Sequence, residues 1–142
     1  MLVSTKGRYA LRVMLELAGH TTDEYMRLDK IAAAQDISEK YLESIVSILV
    51  KSKIIEGMRG RGGGYRLTRK PEDYSVGEIL RLTEGSLAPV SCLDCKTDEC
   101  DRADKCQTRP MWIELDNMIC NYLDSVKISD LLNSSLENDS EI

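Results

Sequence analysis

Residues 36–70 read DISEKYLESIVSILVKSKIIEGMRGRGGGYRLTRK, and their pattern decides the fold. Ser38 is a good helix N-cap, and Glu39 and Glu43 put negative charge where the helix dipole favours it. Leu42, Ile45, Val46, Leu49 and Val50 recur at helical spacing and predict one continuous buried stripe. Lys40, Glu43, Ser44, Ser47 and Lys51 form the opposite, polar face. After this helix, IIEGM and YRLTRK read as two strands around a glycine loop. Gly60 and Gly62 to Gly64 let the backbone turn sharply and approach another surface closely. Arg59, Arg61, Arg66, Arg69 and Lys70 fall within twelve residues that hold no acid. A basic hairpin beside a helix with a polar outer face predicts a helix-turn-helix carrying a β-wing.

The flanking sequence completes that unit. Ser4 or Thr5 can cap a first helix that buries Ala10, Val13, Met14 and Leu17 and stops at Gly19. A short helix over Asp29–Gln35, with Leu28, Ile31 and Ala32 facing inward, supplies the first half of the helix-turn-helix. Beyond the wing, Ser75 caps the short helix VGEILRLTEG, closed by Gly85. Tyr25, Tyr65 and Tyr74 are expected to pack against the core or the wing base. Pro110 opens a longer helix in which Trp112, Leu115, Ile119, Tyr122 and Val126 are spaced 3, 4, 3 and 4 residues apart. Such a heptad seam suits a helix lying along a partner, or one folded back on its own domain. Leu131 and Leu132 form a last apolar patch, and NSSLENDSEI after it is polar and expected to fray. The expected fold is mainly α with a small β-hairpin wing. Its organisation is a winged helix-turn-helix over 1–85, a cysteine-rich loop over 86–109, a long dimerisation helix over 110–132 and a tail over 133–142.

At 142 residues the chain suits one compact domain with an added helix, and 42% hydrophobic and 30% charged residues are ordinary for a soluble protein. No apolar run approaches the ~20 residues needed to span a bilayer. Lys6, Arg8 and Arg12 occupy the region that a signal peptide keeps apolar, so a cytoplasmic protein with no membrane partner is expected. The net charge of −5 hides an asymmetry. Residues 1–70 carry 13 Lys+Arg against 8 Asp+Glu, whereas residues 71–142 carry 6 against 16. The basic half is therefore a candidate surface for double-stranded DNA despite the acidic total.

Residues 91–106, SCLDCKTDECDRADKC, hold four of the five cysteines. In a reducing compartment an odd number of thiols fits a disulfide scaffold badly. A redox pair at Cys92 and Cys95 needs a helix N-terminus to lower a thiol pKa, which Pro89 and Val90 do not supply. Thiolates at short spacing bind Zn²⁺ or an iron–sulfur cluster, because both take soft anionic ligands. Spacing alone leaves both open, with Cys92, Cys95, Cys100 and Cys106 as the ligand candidates. Cys120 lies off the heptad seam and reads as an inert thiol.

The stretches STKGRYALRVMLELA, ISEKYLESIVSILVKSKII, MRGRGGGY, VGEI and DKCQTRPMW resemble the IscR-type transcription regulators, over roughly residues 1–130. These are dimeric winged-helix repressors, several of which carry an iron–sulfur cluster; the wider superfamily includes nitric oxide sensors and a cysteine-metabolism repressor without one. The resemblance implies that Glu43 reads a cytosine, a role open to a carboxylate facing cytosine N4 in the major groove. It places Lys40 and Tyr41 close to that groove. It puts Arg59, Gly60 and Arg61 at wing positions against the minor groove and phosphates, with Arg61 where proline is expected. Cys92, Cys100 and Cys106 match three cluster cysteines, the first two spaced two residues further apart than in that pattern. The fourth ligand there is a histidine three residues after the last cysteine, a position held here by Arg109; the chain's one histidine is His20. Cys95 is then the obvious replacement, with Asp94 and Glu99 as oxygen alternatives. The implied function is a homodimeric, DNA-binding repressor that senses iron–sulfur status through a cysteine-ligated [2Fe–2S] cluster. The alternatives are a cluster-free repressor with Zn²⁺ or bare thiols in the loop, or a small thiol oxidoreductase.

Overall fold

The computed structural model of the chain describes residues 3–20, 24–94 and 101–140, with side chains to 134. The first helix, α1 (Thr5–Ala18), begins where the Ser4 hydroxyl accepts the Gly7 N–H at 3.2 Å. It ends at Gly19, and Ala10, Val13, Met14 and Leu17 are all buried. Helix α2 (Leu28–Gln35) turns into α3 (Glu39–Lys51) through Asp36, which takes the left-handed conformation. Ser38 caps α3 by accepting the Tyr41 N–H at 3.3 Å. Leu42, Ile45, Val46 and Leu49 are buried, but Val50 is 37% exposed. Val50 follows Glu43 by seven residues, two helical turns, so it falls on the outer face and not on the buried stripe.

Strand β1 (Ile55–Met58) pairs antiparallel with β2 (Gly64–Leu67), Ile55 opposite Leu67 and Met58 opposite Gly64. The wing tip is therefore residues 59–63. Gly64, at φ +144, allows Tyr65 to exchange two backbone hydrogen bonds of 2.8 Å with Met26. A Cβ at Gly64 would sit 2.3 Å from the Met26 carbonyl oxygen. That close approach fastens the wing to the segment entering α2.

Tyr74, wholly buried, ties the wing base together. Its hydroxyl donates to the Ile54 carbonyl at 2.8 Å and accepts the N–H groups of Arg69 and Thr68 at 2.8 and 3.0 Å. Tyr65 is half-buried against the same core, and Arg66 lies over the Tyr25 ring with 4.4 Å between guanidinium and ring centre. Helix α4 (Val76–Glu84) starts at the Ser75 cap, with its hydroxyl accepting the Glu78 N–H at 3.0 Å, and ends at Gly85.

Helix α5 (Arg109–Ser125) has Pro110 in its first turn and no fully buried residue. The chain leaves helical conformation at Val126 and starts α6 (Ile128–Ser140). The segment 110–132 is thus two helices in place of the single one expected. The Val76 N–H donates to the Val126 carbonyl at 2.9 Å and the Ile128 N–H to the Tyr74 carbonyl at 3.0 Å. Ile128 is completely buried in the winged-helix core, and Leu131 packs on a satellite cluster of Val76, Leu80 and Leu87. The polar stretch after Asn133 continues α6 to Ser140, where fraying was expected. No helix among the described residues is long and apolar enough to cross a membrane.

Candidate nucleic-acid interface and cysteine segment

The outer face of α3 and the wing form opposite walls of one open groove of about 1060 Å³. Glu43, Ser47, Val50 and Lys51 line the helix side, and Met58 to Tyr65 line the wing side. The groove brings together Glu43, Arg59, Gly60 and Arg61. Gly60 and Gly62 have φ of +94 and +73, with no atom within 4 Å of where a Cβ would stand. Gly63 is different, since a Cβ there would lie 2.3 Å from the Met58 carbonyl oxygen. The tip is a tight backbone turn closed by the Gly63 N–H on the Gly60 carbonyl at 3.0 Å.

The basic residues of this region divide into two groups. Arg66 pairs with Glu56 across the hairpin, and Arg69 donates to Glu78 at 2.6 Å while its guanidinium lies 4.3 Å from the Tyr74 ring centre. Those two brace the fold. Arg59 and Arg61 are exposed and form no ion pair among the described residues, so their charge remains directed at solvent and at whatever fills the groove.

Lys40 and Tyr41 lie outside the groove walls. Lys40 is exposed; Tyr41 leans edge-to-face on Tyr9 with ring centres 5.7 Å apart, and Arg12 lies over Tyr9 at 4.9 Å. Tyr41 therefore has a packing role between α3 and α1. The groove also contains Arg27, Val50 and Met58, which sequence reasoning did not assign to it. The helical period could have found Val50, in phase with Glu43. Arg27 and Met58 reach the groove only because the hairpin folds over the start of α2.

In the cysteine segment, Cys92 sits on a single 3₁₀ turn (Ser91–Leu93), and Cys106 lies just ahead of α5. Both are half-buried free thiols. The Cys106 sulfur is 3.3 Å from the Thr108 hydroxyl, and this hydrogen bond lowers its pKa from the ordinary thiol value, helped by backbone N–H groups at the start of α5. Cys95 and Cys100 lie outside the described residues, as does Glu99. Among the described residues no group of three or more His, Cys, Asp or Glu is placed to hold a metal ion. Cys120 is half-buried on α5, with its thiol 3.8 Å from Asp116 Oδ1.

One further contact joins the two regions. Arg81 of α4 makes a two-pronged ion pair with Asp124 of α5, at 2.6 and 3.0 Å. The Arg81 hydrogen bond holds the Asp124 carboxyl below its usual pKa, and Asp124 in turn holds Arg81 firmly protonated. A Cβ at Gly77 would stand 2.1 Å from Asp124 Oδ1, so a residue without a side chain is what allows the carboxylate this close to α4.

Comparison with known proteins places this architecture. The family model described as Rrf2, iron-dependent transcriptional regulator, matches residues 3–134. The transcriptional regulator IscR of Aliivibrio salmonicida is 33% identical over 93% of this chain and 77% of its own length. The regulator CymR of Bacillus subtilis is 37% identical over 92% of this chain and 89% of its own. Among solved structures, CymR of B. subtilis, described as a global cysteine regulator, superposes with a TM-score of 0.78 at 34% identity, covering 94% of this chain and 98% of that one. IscR of T. potens superposes with a TM-score of 0.74 at 36% identity, covering 95% and 88%. These relatives are regulators and the chain is not an enzyme. With a helix-turn-helix, a basic wing and a long α5 in the same order, the chain belongs to the Rrf2 family of winged-helix transcriptional regulators.

Proposed function

We propose that this protein is a homodimeric, cytoplasmic repressor that binds a two-fold operator and senses iron–sulfur status through a [2Fe–2S] cluster on its cysteine segment. The observation that carries the DNA reading is the shared groove, in which the Glu43 face of α3 and the Arg59–Gly60–Arg61 tip line opposite walls. Glu43 would accept from cytosine N4 in a major groove, and Arg59 and Arg61 would lie along the adjacent minor groove and its phosphates. Lys40 and Tyr41, outside the groove between α3 and the wing, would lie beside the major groove of the DNA at the start of α3. Two-fold symmetry then calls for half-sites spaced by whole DNA turns of ~34 Å.

The dimer is supported by α5. Met111, Leu115, Met118 and Tyr122 follow a heptad spacing and are all exposed, Met118 at 63% and Tyr122 at 67%. Of the seam read from sequence only Leu115 and Tyr122 are among them, while Trp112 and Ile119 are half-buried and Val126 packs inward on the satellite cluster. An apolar strip of this length on a single helix suits a second copy packed lengthwise.

The cysteine set fits a cluster in its chemistry. Cys92 and Cys106 are free thiols on either side of Cys95 and Cys100, and four thiolates complete a ligand set without a histidine. Arg109 cannot ligate iron, so Cys95 takes the place that the family resemblance gives to histidine. When bound, the cluster supplies a redox- and oxygen-sensitive ligand whose presence depends on iron and sulfide supply. The chain's own part is mechanical. The segment 86–108 links α4 to α5, while Arg81–Asp124 and the backbone pairing of Ser75 with Lys127 hold the far end of α5 on the DNA-binding unit. A ligand held by the thiols of this segment would shift α5 against the DNA-binding unit and hence change the spacing of two recognition helices. A ligand that favours one arrangement by ~2–3 kcal/mol changes operator affinity by tens to about a hundredfold.

The test is an absorbance spectrum with iron, sulfide and zinc analysis on protein purified without oxygen. Two irons and two sulfides per chain, lost in a folded Cys106→Ala dimer, are expected. A colourless wild type, with zinc or no metal, overturns the cluster and leaves a DNA-binding regulator. That second reading is favoured by the 37% identity to CymR and by Arg109 at the histidine position.

A further inference from the structure

Exposed large apolar side chains among the described residues fall into few places. Those on α5 form the strip described above, apart from Ile113 on another face of that helix, and Tyr41 leans on Tyr9. Val50 and Met58 are the remaining pair, 37% and 45% exposed, and both line the groove between α3 and the wing. Neither is needed to fill the core, because Leu42, Ile45, Val46 and Leu49 already form the buried face of α3. Their exposed parts add nothing to folding while they face water. Covered on binding, each buried methyl or methylene is worth ~0.8 kcal/mol.

What covers it is indicated by the surroundings. Arg59 and Arg61 on the wing and Lys51 on α3 share the groove with this pair, as do Glu39 and Glu43 and the ion-paired Arg27 and Asp29. An apolar protein surface would be a poor match for the unpaired arginines of the wing tip, whereas the DNA backbone suits them. Within DNA the apolar feature on the major-groove edge is the C5-methyl group of thymine. We infer that Val50, flanked by Met58, is a specificity-determining contact that selects a thymine in each operator half-site. The inference rests on the DNA reading of this groove and deepens it.

Helical geometry sets the position. Val50 lies two turns beyond Glu43 on the same face, about 10 Å along the axis at ~1.5 Å per residue. At ~3.4 Å per base pair that is about three base pairs from the cytosine facing Glu43, on the side toward the wing. The groove therefore has two chemically distinct readers, a carboxylate for an amino group and an aliphatic patch for a methyl.

The experiment uses the full chain and a duplex enriched from a random-sequence pool. Each thymine of that duplex is replaced in turn by deoxyuracil, which deletes the methyl group and keeps the base pairing. The expected result is one sensitive thymine per half-site, each replacement weakening binding about fourfold, the equivalent of one buried methyl. Val50→Ser removes both methyl groups of the side chain and should bring that ratio close to one, while Met58→Gln should reduce it partly. Circular dichroism and a thermal melt establish that each variant is folded before binding is read. An enriched duplex with no thymine sensitivity, or the same sensitivity in folded Val50→Ser, overturns the inference while the DNA reading stands. Failure to enrich any duplex overturns both.

Discussion

Helices α3 and α5 carry similar apolar periodicity and have opposite fates. Four residues of α3 are buried, and its polar face is left to line the groove. Helix α5 has no fully buried residue and shows Met111, Leu115, Met118 and Tyr122 to solvent. The difference lies in what surrounds each. Helix α3 is enclosed by α1, α2, the hairpin and α4, so its stripe is covered within the chain. Helix α5 is attached mainly through its last turns, by Asp124 to Arg81 and by Leu123 and Val126 to the satellite cluster. Periodicity shows that a face is apolar; it does not show which chain covers it.

The sharpest way to break the comparison is to damage each stripe. Ile45→Ala, in the buried face of α3, should destabilise the fold by ~2–5 kcal/mol in chemical denaturation, because it leaves a cavity in a closed core. Met118→Asp with Tyr122→Asp should leave a folded chain, with unchanged helical circular dichroism, and weaken self-association about a hundredfold or more in analytical ultracentrifugation. If that double variant unfolds the chain, α5 is a core helix and the contrast with α3 is wrong.

A smaller effect probes the hinge between wing and core. Tyr74→Phe deletes the buried hydroxyl that bonds Ile54, Thr68 and Arg69 and takes the acceptor from the Arg69 N–H, while the Ile54 carbonyl keeps the Thr68 hydroxyl at 3.0 Å. It should cost ~1–3 kcal/mol and loosen the wing, visible as faster amide hydrogen exchange in β1 and β2.

On the groove side, Arg59→Ala should leave stability within ~0.5 kcal/mol and lower the slope of log affinity against log salt by about 0.9. An unchanged slope would remove the wing tip from the contact surface. This separates a residue directed outward from Arg66 and Arg69, whose partners are internal.

The least effect is expected at the α4–α5 joint. Asp124→Asn breaks an ion pair whose side chains are well over a third exposed, so the loss should be ~0.5–1 kcal/mol. Its sign with pH is defined. The Asp124 pKa is held down in the fold, so the stabilisation is present above the unfolded carboxylate range and disappears as acid protonates the folded group. Thermal melts of wild type and Asp124→Asn should therefore differ near neutral pH and converge below the folded pKa.

Much of the winged helix was legible as sequence because its signals are local. Ser4, Ser38 and Ser75 cap helices with bonds to residues three positions on, Gly19 and Gly85 end helices, and the apolar spacing of α1 and α3 faces one core. Glu43 and the glycine–arginine wing were equally readable, since outer-face phase and turn chemistry depend on near neighbours. Val50 differs from its expected place in the buried stripe because its apolar character suggests the core, while its helical phase puts it on the face of Glu43.

Local pattern thus establishes capped helices with a basic hairpin, an apolar heptad and a dense thiol segment, each following from spacing and side-chain chemistry alone. Contacts between residues far apart in the chain belong to the tertiary structure. Ile128 enters the core of a domain that ends some forty residues earlier in the sequence, Gly64 brings the wing against Met26, and Gly77 makes room for Asp124 beside Arg81. No periodicity encodes such meetings, because each depends on two surfaces fitting in space after the chain has folded.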